Sequence, residues 1–290
     1  KISAMEGGTR VPLIITGPGI PKGVESDVMV NGLDFYPTLL TLTGTKRPKD
    51  KGLDGCDLSD LLLKNPTNSS LVKNKDGKPR DTMVWHFPHS VALESTIRMG
   101  GYKLVRNYNH RFDERATELE LYQLYKTENG KQVRVDIEEA NNLASQHPQL
   151  SKELNERLSS ILNEMDASYP YYNPQARRVG AEKNLIPKVI SHEIQNETVT
   201  FSVREQGAKI VRADLIYTNN GGKKYEEWYR IKGKEKTKGT ISFNLPEGST
   251  HYYLNLIDEN NFLVSYPETP DYSELGKTKE KFAKFAIARK

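Results

Sequence analysis

The sequence predicts an α/β fold class whose texture changes along the chain. The end of a layered α/β sandwich domain is expected over residues 1–80. A small α+β subdomain with an antiparallel sheet and a C-terminal helix is expected over 81–173, and an appended β-sandwich over 180–290. Three observations predict this order. An apolar run at 11–15 stops at Gly17-Pro18-Gly19, the pattern of a buried strand that ends in a turn. Short strand-like pieces begin at 83 and give way to Leu150, Leu154, Leu158, Ile161, Leu162 and Met165, which recur on one helical face. Beyond a polar linker, short strand patterns separated by turn residues continue to 265.

The elements can be justified in chain order. The opening Lys1-Ile2-Ser3-Ala4-Met5-Glu6-Gly7-Gly8-Thr9-Arg10-Val11-Pro12 places a cation ahead of two adjacent glycines, which permit a turn that a Cβ would forbid. A loop, a strand and a turn in this order are common at the rim of an α/β sheet, where ligands bind at strand ends. A lysine there serves as a point charge for an oxyanion, or is simply an ordinary residue leading into a strand. Asn31 to Gly44 has an acidic residue near its start, apolar residues at helical spacing and a terminal glycine, so a short amphipathic helix is expected, with Asp34 serving its N-terminus. Residues 66–80 are polar and turn-rich and read as a connection or hairpin. Strands are expected at 83–87, 95–98, 102–108 and 120–125, with Gly100-Gly101 as a turn. The helix after them has Pro148 near its start and Tyr169-Pro170 past its end. A linker is expected near 174–186, then six strands at 198–203, 210–217, 225–231, 240–245, 251–258 and 262–265.

A chain of 290 residues leads us to expect two or three units, each able to bury its own core. Its 42 basic and 38 acidic residues leave a net charge of +4, without a long block of one sign, which gives no reason to expect a nucleic-acid partner. No apolar run approaches the length of a membrane span, so a membrane partner is not expected either. Cys56 is the only cysteine, which excludes an internal disulfide and a multi-cysteine zinc site.

Several strings resemble one family. Lys1 to Pro12 fits Lys-x4-Glu-Gly-Gly-x-Arg-x-Pro, and Asp34 to Leu40 fits Asp-x-x-Pro-Thr-Leu-Leu. Leu53-Asp54-Gly55-Cys56-Asp57-Leu58 fits Leu-Asp-Gly-x-x-Leu. Ile97-Arg98-Met99-Gly100-Gly101-Tyr102-Lys103-Leu104, Glu120-Leu121-Tyr122-Gln123-Leu124 and Asn142-Leu143-Ala144 then follow in the family's order. Over about residues 1–172 the chain resembles the C-terminal portion of the formylglycine-dependent, arylsulfatase-like sulfatases of the alkaline phosphatase superfamily.

That resemblance implies hydrolysis of sulfate esters, with a formylglycine hydrate attacking sulfur and a calcium ion held by carboxylates and an amide. It implies that Lys1 contacts the sulfate. Neither cofactor is expected from residues of this chain, because the Cys-x-Pro-x-Arg segment that matures to formylglycine is absent. The nucleophile and metal ligands are expected upstream, which makes the missing N-terminal part of the same sulfatase a partner. The other expected partner is a sulfated small molecule or glycan. The family further implies a bacterial enzyme in the periplasm or secreted, with the leader outside this sequence.

His86 and His89 in Trp85-His86-Phe87-Pro88-His89 are the second candidates, because a similar string occurs in carbohydrate-directed bacterial sulfatases. The two readings are substrate contact and simple loop hydrogen bonding. Pro88 forces an extended path, so the two rings need not face one way. Arg98, Lys103 and Arg106 read as solvent-exposed basic residues, with a cationic rim for a sulfated sugar as the alternative. Trp228, Tyr229, Tyr252 and Tyr253 read as core, with sugar stacking as the alternative. Two other functions stay open: a phosphoester or phosphonate hydrolase of the same superfamily, and a non-catalytic carbohydrate-binding fragment.

Overall fold

The computed structural model describes residues 3–89, 92–111, 113, 116–129, 131–176, 180–221, 227–233, 239–268 and 285–289. The chain divides into two compact units, residues 1–170 and 171–290.

The first unit opens with the one-turn helix α1 (Glu6–Thr9), followed by α2 (Phe35–Leu42) and α3 (Ser59–Leu63). A 3₁₀ turn, Gly32–Asp34, leads into α2, and Asn31 and Asp34 close a reciprocal capping box there. Asp34 therefore serves the helix start as expected. It does more than cap, because it is fully buried and takes both terminal nitrogens of Arg80 at 2.8 Å. Gly55 lies against this turn so closely that a Cβ would fall 2.0 Å from the Leu33 carbonyl oxygen. The connection at 66–80 contains a second 3₁₀ turn, Ser69–Leu71, and a bridge from Lys73 to Pro79, in keeping with a hairpin.

The expected strand at 11–15 is not formed. Val11 is 72% exposed and Ile14 87% exposed, and no described residue pairs with the run. The physical reason is that apolar composition does not make a strand by itself: its N–H and C=O groups need a neighbouring strand.

Four strands, β1 (Thr82–Phe87), β2 (Glu94–Met99), β3 (Tyr102–Asn107) and β4 (Leu119–Gln123), form an antiparallel sheet in chain order. A short hairpin, β5 (Tyr125–Glu128) with β6 (Lys131–Arg134), follows. Gly100 sits at φ +56 in the β2–β3 turn, and a Cβ on Gly101 would lie 2.2 Å from the Tyr125 carbonyl oxygen, so both glycines are required. The long helix α4 (Pro148–Glu164) begins with proline in its first turn, where a missing N–H costs nothing. Its Leu154, Leu158 and Leu162 bury against Ile97, Leu104 and Leu121 on one face of the sheet. Each leucine so buried contributes about 1.5–3 kcal/mol. Met165, expected on the same face, is the C-cap and 58% exposed.

The second unit has two antiparallel sheets. One has the order β10 (Trp228–Lys232), β9 (Ile210–Thr218), β12 (His251–Asp258), β13 (Leu263–Tyr266), with β14 (Ile287–Ala288) also on β12. The other has the order β11 (Thr240–Asn244), β8 (Thr198–Arg204), β7 (Lys188–Gln195). Both sheets contribute to one apolar core, with Val199, Phe201, Ile241 and Phe243 from the smaller and Leu215, Tyr252, Leu254 and Leu256 from the larger. The described part is thus a mixed α/β chain with antiparallel sheets and one long helix behind the first of them.

Candidate functional site

Register assigns the faces of the four-stranded sheet. Lys103, Val105 and Tyr122 alternate with Leu104 and Leu121, so they lie on the face turned away from α4. This second face is also covered. Val105, Tyr122, Leu124 and Tyr125 form a buried cluster, with Met5 and Ile137 packed on it. The start of the chain therefore docks on the sheet.

Carboxylates hold it there. Ser3 Oγ donates to Glu94 Oε1 at 3.1 Å, and the Ala4 amide donates to the same oxygen. The Glu6 amide donates to Glu139 Oε2 at 2.6 Å, and Lys103 Nζ, wholly buried, lies 3.1 Å from Glu6 Oε1 and 2.8 Å from Glu139 Oε1. Gly8 permits the tight bend, since a Cβ would fall 2.1 Å from the Ser3 carbonyl oxygen. Arg10 donates to the Tyr125 hydroxyl and pairs with Asp27 at 3.4 Å. Glu6 and Arg10 thus pin the loop by backbone hydrogen bonding and ion pairing. Lys1 lies outside the described residues.

The two histidines separate. His86 lies on the α4 side, with Nδ1 2.6 Å from Ser95 Oγ and Nε2 2.8 Å from the Ser168 carbonyl oxygen. A carbonyl accepts, so Nε2 carries the proton and Nδ1 accepts from Ser95 in the neutral ring. Ser95 Oγ is in turn 2.7 Å from the Tyr108 hydroxyl, and the His86 ring stands edge-on to Tyr108 and Tyr169. Burial pushes the Tyr108 phenol above its ordinary pKa. Both nitrogens of His86 are thereby engaged. His89 is exposed beyond the end of β1, its ring 4.4 Å from that of Phe87. Phe87 pairs with Glu94, the residue that holds Ser3. Glu94, which holds Ser3, and His89 thus lie toward the same end of the β1–β2 pair.

The three basic residues of β2 and β3 form neither a solvated stripe nor a cationic rim. Lys103 is buried as described, and the Arg98 guanidinium lies 4.9 Å from the centroid of the Tyr125 ring. Burial pulls the Arg98 pKa down, while the Glu6 charge acts to raise it. Arg106 bonds α4 through Asn155 Oδ1 at 2.7 Å, the Asn155 carbonyl at 2.8 Å and Ser159 Oγ at 2.6 Å. Sequence reasoning missed Glu94 and Glu139 altogether. A signal for Lys103 was available: Val105 and Tyr122 share its face, and a face carrying such residues is seldom open to water.

In the second unit Tyr252 is core, and the Trp228 ring lies tilted against Tyr253, 5.5 Å between centroids. Tyr229 is 48% exposed beside Tyr217. Cys56 is buried, and its thiol pKa is raised by that burial. Among the described residues no group of three or more His, Cys, Asp or Glu side chains could hold a metal ion. Cys56 is followed by Asp57, Leu58, Ser59 and Asp60, so it does not stand in a Cys-x-Pro-x-Arg string.

Residues 2–164 match the family described as N-sulphoglucosamine sulphohydrolase, C-terminal. The chain belongs to this sulfatase family. The match falls within the first unit and contains Glu6, His86, His89, Glu94, Lys103 and Glu139. Arylsulfatase K of Danio rerio is 29% identical over 180 residues, covering 60% of this chain and 30% of that protein. A sulfatase of Formosa agariphila is 30% identical over 151 residues, 49% of this chain and 24% of its own length. Arylsulfatase G of Canis lupus familiaris is 40% identical over 105 residues, 36% of this chain and 18% of its own length. The chain spans at most about a third of the curated relatives it matches. No helix among the described residues is long and apolar enough to cross a membrane.

Proposed function

We propose that this chain is the C-terminal part of a sulfatase that hydrolyses sulfate esters of a carbohydrate, and that Lys1 contacts the sulfate. In this reading residues 1–80 end the sulfatase α/β domain, residues 81–173 form its small C-terminal subdomain, and residues 180–290 form an accessory β-sandwich. Formylglycine and calcium belong to sequence preceding Lys1, and the enzyme works in the periplasm or outside the cell. A single observation carries the reading: the sulfatase match begins at residue 2, and residues 3–6 within it are held by Glu94, Lys103 and Glu139.

The roles of this chain's own groups follow from charge and placement. An ammonium beside a sulfate ester balances the charge on its non-bridging oxygens and acts as a point charge without a required hydrogen-bond plane. His89, exposed toward the same end of the β1–β2 pair as Glu94, is the histidine this reading assigns to the sugar. His86, with both nitrogens engaged, holds β1 against the segment after α4.

The test uses the intact enzyme with 4-nitrophenyl sulfate as probe. Lys1→Ala should lower kcat by about 100-fold or more with the melting temperature unchanged, the size seen when one oxyanion donor is removed. Near-normal turnover would remove the assignment. Preference for 4-nitrophenyl phosphate in the same assay would transfer the site to phosphoester chemistry.

A further inference from the structure

We infer that the second unit carries a binding site for a neutral pyranose, in the cleft bounded by β7, β13 and residues 171–176. The site does not depend on the sulfate reading of the first unit.

The cleft has a volume of about 1020 Å³, at the upper end of the range for small-molecule sites, and all of its lining residues belong to the second unit. β7 and β13 each end the strand order of their sheet among the described residues, so the cleft runs along a side of the sandwich where both sheets stop. Tyr171, Tyr172 and Tyr266 line it, and each is half-buried. Their rings are held before any ligand arrives. The Tyr171 hydroxyl accepts from Arg212 Nη1 at 3.3 Å, the Tyr172 ring stands edge-on to Phe262 at 5.7 Å, and the Tyr266 hydroxyl lies 3.2 Å from His192 Nδ1. An aromatic wall so fixed loses little freedom on binding.

The cleft also has a polar pair. Gln175 Nε2 donates to Glu268 Oε1 at 3.0 Å, and both residues are exposed. A turn sets Gln175 in place: its amide donates to Asn173 Oδ1 at 2.9 Å, and the Ala176 amide donates to the Asn173 carbonyl at 3.0 Å. A carboxylate and a primary amide side by side offer acceptors and a donor, which suits neighbouring hydroxyls that each donate and accept. A pyranose combines such hydroxyls with a face of C–H groups that lies flat on an aromatic ring. Lys188 and Glu268 are the charged residues among those lining the cleft, and their charges cancel, so no cationic excess selects a sulfated or acidic sugar. A peptide strand lacks the edge it would need. Tyr172 already occupies the outer side of β13, its N–H donating to the Asn261 carbonyl at 2.9 Å and its carbonyl accepting from the Leu263 N–H at 3.0 Å.

The experiment is saturation-transfer NMR on the 290-residue chain with the methyl glycosides of glucose, galactose, mannose and xylose, each at up to about 50 mM. Methyl galactoside sulfated at its primary hydroxyl is the charged probe. At least one neutral glycoside should bind with a Kd of about 1–10 mM. That Kd should rise by at least about fivefold in Tyr171→Ala and in Glu268→Ala, and stay within about twofold in Tyr229→Ala, which removes an exposed ring outside the cleft. If Tyr171→Ala fails to fold, Gln175→Ala, at an exposed position, takes its place beside Glu268→Ala. Binding by none of the neutral glycosides overturns the site, and so does binding that these cleft variants leave unchanged. Tighter binding of the sulfated probe than of methyl galactoside overturns the neutral class.

Discussion

Replacing Asp34 by alanine should open the region around α2 and α3, and the size of the effect follows from what Asp34 holds. Its two oxygens accept from Arg80 Nη1 and Nη2, from the Asn31 amide and from the Cys56 amide, each at 2.8 Å. The Arg80 side chain is only 6% exposed, so removing Asp34 leaves a buried guanidinium without its counter-charge. Breaking such a pair from one side costs about 3–5 kcal/mol. The orphaned Cys56 amide, itself worth about 1–3 kcal/mol, pushes the total toward the upper end. Cys56 is the only cysteine and is 5% exposed, so the rate of thiol labelling in native buffer reports opening at this place. A loss of 3–5 kcal/mol corresponds to labelling faster by roughly 150- to 5,000-fold when reclosing outpaces labelling. Asp34→Ala combined with Arg80→Met should recover much of the protection, because an apolar replacement of both partners is close to neutral. Acceleration below about tenfold, or a double variant that labels as fast as the single one, would refute this reasoning.

Other outcomes are expected. Leu158→Ala on α4 should cost about 2–5 kcal/mol, read from urea unfolding of the first unit, because Leu158 is fully buried against the sheet. The phenols of Tyr108, Tyr122, Tyr252 and Tyr253 are all pushed above their ordinary pKa, chiefly by burial, with the Glu120 hydrogen bond adding to the effect at Tyr122. Their neutral form therefore stabilises the fold fully below about pH 10, and that contribution is lost as pH rises through the folded-state values. Tyrosinate absorbance should show these four ionising only together with alkaline unfolding. Gly8→Ala forces its Cβ into the Ser3 carbonyl, so hydrogen exchange at the Glu6 amide should speed up by about tenfold or more.

Much of the architecture was legible because period and burial agreed. The row Leu154, Leu158, Leu162 fixed α4, and β1 to β4 and the strands from β8 to β13 fell close to their expected spans. β7 escaped because its exposed positions Ser191, Glu193 and Gln195 carry polar groups and Ile190 is displaced at a register shift. The run at 11–15 misled in the other direction, since its side chains have strand composition but its backbone pairs with no strand among the described residues. The site was legible only locally. Glu6 stands in the opening motif, but Lys103 and Glu139 lie 97 and 133 residues away from it, a relation no local pattern encodes. That His86 and His89 need not face one way was readable from Pro88, but the face His86 takes needed the register of β1 on β2.

Adjacent residues of β2 serve opposite sides of the sheet. Glu94 holds the opening segment, and Ser95, one step on, holds His86 and Tyr108. Shortening this strand by a single residue would hand the acid to the helix side and the hydroxyl to the other, cutting both attachments at once. Point changes are therefore absorbed far more readily here than changes of length, and variation in the family is expected to respect that spacing.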